Sequence, residues 1–111
     1  MIIKDLQKFG FSKNLAHVYT TLSGFGEAKA GQIIKKTGLH RNIVYTCLEK
    51  LEKKKLITKT EIRGVALYKI LNPERLMNEI KEKENLLTNI IEEIKNLQND
   101  PKQEIVVYEG V

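Results

Sequence analysis

The stretch K-A-G-Q-I-I-K-K-T-G-L-H-R-N-I-V-Y-T-C-L-E-K-L-E-K-K (residues 29–54) decides the fold. Ala30, Ile33, Ile34 and Thr37 recur at helical spacing and stop at Gly38, with Lys29, Lys35 and Lys36 on other faces. After only Gly38 and Leu39, a second run from His40 to Lys55 carries Val44, Cys47, Leu48 and Leu51 at i, i+3, i+4 and i+7. Two helices joined by a short turn containing glycine match a helix-turn-helix. Short glycine turns are also common in other helical proteins, so the flanking sequence has to decide.

Downstream, L-I-T-K-T (56–60) and V-A-L-Y-K-I (65–70) are rich in β-branched and aromatic residues and flank E-I-R-G (61–64). This predicts a β-hairpin with Gly64 at its tip. Upstream, Ile2, Ile3, Leu6 and Phe9 predict a short helix ended by Gly10. Ser12 is a suitable N-cap for a helix with Leu15, Val18, Tyr19 and Leu22 on one face, ended by S-G-F-G (23–26). Three helices, the last after a tight turn, followed by a hairpin make a winged helix-turn-helix. The expected class is therefore mainly α with a small β-hairpin.

Asn72-Pro73 breaks the chain, and from Glu74 to Asn99 there is neither Gly nor Pro. Leu76, Ile80, Lys83, Leu87, Ile90, Ile94 and Leu97 follow one another at alternating spacings of 4 and 3, the a/d pattern of a coiled coil. A helix of about 26 residues would be near 39 Å long, too long for a small winged helix to cover, so it needs a partner. The predicted organisation is a winged helix-turn-helix over 1–72 and a coiled-coil-like dimerisation helix over 73–100. A short strand, E-I-V-V-Y (104–108), follows within 101–111.

The 111 residues carry 19 Lys and Arg against 14 Asp and Glu, a formal net charge of +5, but the excess is not spread evenly. Residues 1–59 hold twelve basic and four acidic side chains, a net of +8, and residues 60–111 hold seven and ten, a net of −3. A basic half joined to a slightly acidic half suggests an anion-binding module attached to something with another job. No run of about 20 apolar residues is present for a bilayer, and the charged N-terminus is not a signal peptide; a cytoplasmic protein is expected. The single cysteine, Cys47, excludes an internal disulfide and a thiolate zinc cluster. No Gly-rich phosphate loop or nucleophile-base spacing points to catalysis, so no enzyme activity and no cofactor are expected.

On the helix from His40, turning 100° per residue away from Val44 brings Asn42, Thr46, Glu49 and Lys53 outward, with Arg41 and Tyr45 flanking. Arg suits the paired acceptors of guanine, Asn the donor-acceptor pair of adenine, and Thr a thymine methyl or a phosphate. Read alone, His40, Arg41 and Asn42 are equally ordinary polar residues on a solvated turn, and Glu49 would repel phosphate unless it met a cytosine amino group. Lys29, Lys35, Lys36, Lys50, Lys53, Lys54, Lys55 and Lys59 surround this helix. Each is an ordinary surface charge by itself; together they form the footprint of a phosphate-binding module. Arg63, beside Gly64, suits a minor groove, although Arg-Gly is also simply a good turn. His17 reads as a boundary residue and Cys47 as a small core hydrophobe.

These pieces, together with G-F-S-K-N-L-A-H-V-Y-T-T-L (10–22), L-I-T-K (56–59), A-L-Y-K-I (66–70) and L-N-P (71–73), resemble the TrmB-like family of winged-helix transcriptional regulators. The resemblance covers residues 1 to about 99 and implies dimeric, sequence-specific binding to duplex DNA. It carries over Arg41, Asn42, Tyr45 and Thr46 as major-groove contacts and Arg63 as the wing contact. Lys55 stands where the family usually has glycine, so the helix is expected to run on or to end differently. Such regulators typically continue into an effector-binding domain, whose start E-I-V-V-Y-E-G resembles; no small-molecule effector is expected for these residues. The expected function is a homodimeric DNA-binding transcriptional regulator, with a winged-helix protein-interaction module that never touches DNA as the rival.

Overall fold

A computed structural model describes residues 1–99, so the strand expected at 104–108 lies outside the described residues. The chain divides into two compact units, Met1–Arg75 and a second that begins at Leu76. In the first, α1 (Ile2–Phe9), α2 (Lys13–Phe25), α3 (Ala30–Thr37) and α4 (Arg41–Lys53) precede a hairpin of β2 (Ile57–Ile62) and β3 (Val65–Ile70). A two-residue strand, β1 (Glu27–Ala28), pairs antiparallel with β3, so the sheet order is β1-β3-β2. This is the expected winged helix, with a third strand added.

The local signals act where the residue chemistry puts them. Ser12 caps α2 by accepting the Leu15 N–H at 3.2 Å, and α2 runs on to Phe25 before Gly26 takes positive φ. Gly38 ends α3 in a left-handed conformation, and the Thr37 hydroxyl accepts the Leu39 N–H at 3.2 Å, which shapes the turn into α4. His40 is the N-cap of α4, its Nδ1 accepting the Asn42 N–H at 3.2 Å. Leu22, Ile33, Leu48, Leu51, Leu56, Ile57, Val18 and Val44 fill the core where the helices meet the base of the hairpin. Cys47 lies among the buried residues, and burial pushes its thiol up although Lys50 opposes the shift.

Two expectations need correction. α4 neither runs on nor ends differently at Lys55: it stops at Lys53, and Lys55 adopts the left-handed φ of 61° usual for glycine. The Lys55 N–H reaches the Glu52 carbonyl at 2.9 Å and the Leu56 N–H the Leu51 carbonyl at 3.0 Å, a Schellman end closed over two buried leucines. The helix expected from Glu74 begins instead as a 3-10 turn, Pro73–Leu76, and continues as α5, Met77–Asn99. Asn72 holds that turn by accepting the Glu74 N–H through its side chain and the Arg75 N–H through its carbonyl, each at 3.0 Å. Leu76 therefore lies outside the α5 seam, because a 3-10 turn has a different angular step.

Candidate nucleic-acid interface

The hairpin tip is a two-residue turn. Ile62 pairs with Val65, and the residues between them, Arg63 and Gly64, have φ of 54° and 77°. Positive φ at both central positions marks a type I′ turn, whose twist matches the strands it joins. β2 thus extends to Ile62, two residues past the predicted end, and Arg63 stands exposed at the tip.

Buried Val44, Cys47, Leu48 and Leu51 fix the rotation of α4. The opposite arc exposes Arg41, Asn42, Tyr45, Thr46, Glu49 and Lys53, and His40 is exposed at the helix start. Lys29, whose backbone N–H donates to Gln32 Oε1 at 2.9 Å, and Lys36 are exposed at the two ends of α3. The nine residues expected to contact DNA, Lys29, Lys36, His40, Arg41, Asn42, Tyr45, Thr46, Lys53 and Arg63, are accordingly all accessible. Within unit 1, a single helix carries Arg41, Asn42, Tyr45, Thr46 and Lys53; Lys29 and Lys36 come from α3, and Arg63 from the hairpin.

The two edges of the α4 arc differ in charge. On one edge Asn42, Ile43, Thr46, Cys47 and Lys50 line a shallow open hollow with Ser12 and Asn14 from the start of α2. Along the other edge, Tyr45, Glu49 and Glu52 follow one another at i, i+4 and i+7. There the Tyr68 hydroxyl on β3 is held protonated to higher pH by burial, then by Tyr45, Glu52, Glu49 and Glu61. The hairpin-side edge thus carries two carboxylates beside Arg41, and the α2-side edge carries the Lys50 ammonium. Sequence reading singled out neither Ser12, Asn14 nor Ile43 for this face. No periodicity along α4 signals them, since the hollow exists only because α2 packs against α4.

The family described as the sugar-specific transcriptional regulator TrmB matches residues 6–74. A curated relative, the HTH-type sugar sensing transcriptional regulator TrmBL1 of Pyrococcus furiosus, is 33% identical over 82 residues. That match covers 73% of this chain and only 24% of the relative, so the chain spans about a quarter of its length. Among solved structures, TrmBL2, described as an archaeal chromatin protein with a novel mode of DNA binding, superposes with a TM-score of 0.78 at 20% identity. It is matched over 98% of this chain and 40% of its own. A possible transcriptional regulator from Methanosarcina mazei gives a TM-score of 0.66 at 19% identity, over 87% of this chain and 89% of that one. At these identities the structural likeness establishes the winged-helix fold.

Proposed function

This chain belongs to the TrmB family of transcriptional regulators, and from that membership we propose that it is a sequence-specific, duplex-DNA-binding regulator that acts as a homodimer. The exposed arc of α4 is the observation that carries the reading. It presents an arginine, an asparagine and a threonine, the residue types that read base edges, from a helix whose buried face is fixed. The surrounding lysines supply the sequence-independent term, with phosphate contacts from Lys29, Lys36 and Lys53 and a minor-groove contact from Arg63.

The homodimer rests on α5. From Ile80 to Asn99 every residue of this helix is exposed, including Ile80, Leu87, Ile90, Ile94 and Leu97 of the seam. A helix that leaves such a row in water gains by pairing it with the same row of a second copy. Sugar sensing is a property of the named relative, and we carry over only DNA binding to these residues.

The interaction-module reading would be favoured by an apolar patch on the α4 arc. There Ile43 and Tyr45, 36% and 40% exposed, are set apart by polar neighbours. A gel-shift comparison of duplex DNA, single-stranded DNA and RNA at one salt concentration tests the proposal. Duplex DNA is expected to bind most tightly, with log affinity falling by about 0.9 per neutralised phosphate as log salt rises. Failure to shift any nucleic acid would leave the interaction module standing.

A further inference from the structure

The apolar seam of α5 can pair with a second copy in two directions, and its one charged position separates them. Within the helix the seam runs Ile80, Lys83, Leu87, Ile90, Ile94 and Leu97. In a parallel pair each position meets itself, so Lys83 lies against Lys83 of the second copy inside the seam. An antiparallel pair matches Ile80 with Leu97, Lys83 with Ile94 and Leu87 with Ile90, and every one of these positions lies within α5. Lys83 then faces an apolar residue, along which its methylene stem packs, and its ammonium lies on the side of Glu93 of the second copy.

The parallel pair has one gain, since Leu86 would face Ile91 of the second copy. Both residues are exposed at the flanks of the seam, where water still reaches, whereas the two lysines would meet at its centre. Lys83 has interactions within its own chain, and a parallel register still sets it against its own copy.

We propose that α5 pairs antiparallel with α5 of a second copy, centred between Thr88 and Asn89. This rests on the homodimer proposed above and adds its direction. The start of each α5, where a winged unit is attached, then lies about 34 Å from the other along the pair at about 1.5 Å per residue. A parallel pair would bring the attachment points within about 10 Å.

Disulfide trapping in the full chain reads the direction. Chains carrying Ile80→Cys and chains carrying Leu97→Cys, oxidised after mixing, are expected to give a covalent dimer, while each alone stays uncrosslinked. Cys47 is buried and present throughout, so the parent chain is the blank. Covalent dimer from each single variant on its own would overturn the proposal in favour of a parallel pair. A spin label at exposed Gln98, which leaves the seam intact, is expected to lie about 30 Å from its counterpart. A distance of about 10–15 Å would overturn the antiparallel direction, and a monomeric mass in sedimentation would remove the homodimer itself.

Discussion

At the scale of single residues, Lys55 is the informative position. A side chain at left-handed φ costs about 1 kcal/mol relative to glycine, yet the chain accepts that cost here. The Schellman hydrogen bonds to Glu52 and Leu51 require this conformation, and the Arg75 guanidinium donates to the Lys55 carbonyl at 3.2 Å. Glycine is therefore expected to relieve the strain: Lys55→Gly should raise stability by roughly 0.5–1 kcal/mol, read as a higher urea midpoint with unchanged slope. A lower midpoint would mean that the lysine side chain contributes more than its backbone costs. Arg63 accepts a similar conformation at the hairpin tip, with Gly64 beside it sharing the turn. Sequence alone marked Lys55 as a departure from the family pattern. It did not reveal whether the backbone or the helix length would yield, because that depends on Leu51 and Leu56 being held in the core.

Among the elements, α4 was the most legible. Its four buried positions recur at i, i+3, i+4 and i+7, and such a stripe fixes the opposite arc without further information. The predicted division of labour follows from that geometry. Replacing Arg41 or Asn42 by Ala is expected to cost about 1–3 kcal/mol against the preferred sequence and to relax base preference. Replacing Lys36 or Lys53 should instead weaken all duplexes alike and lower the salt slope by about 1. Competition binding with specific and scrambled duplexes distinguishes the two, and an Arg41→Ala or Asn42→Ala chain with unchanged preference would refute this use of the α4 arc. β1 was illegible because two residues carry no period, and Glu27 and Ala28 become a strand only when β3 lies alongside. The start of α5 was blurred for a related reason: Pro73 permits an α turn and a 3-10 turn equally, and the Asn72 hydrogen bonds choose between them.

In the whole molecule, the charge separation along the chain coincides with a division of structure. The +8 of residues 1–59 lies within the winged unit, and the second unit has a long helix exposed from Ile80 to Asn99. Sedimentation of the full chain beside one cut after Arg75, which keeps the Arg75 hydrogen bond to Lys55, is expected to give a dimer and a monomer. Equal monomeric masses would leave the seam without the role proposed for it. The sequence by itself determined the element order, the buried faces of the helices and the glycine-ended turns, because 3.6-residue and two-residue periodicity and positive-φ preference are local properties. Tertiary structure alone decided the third strand, the left-handed lysine and the hollow that α2 forms beside α4. Each of these depends on groups far apart in the chain being brought together, or on a choice between local conformations of nearly equal energy.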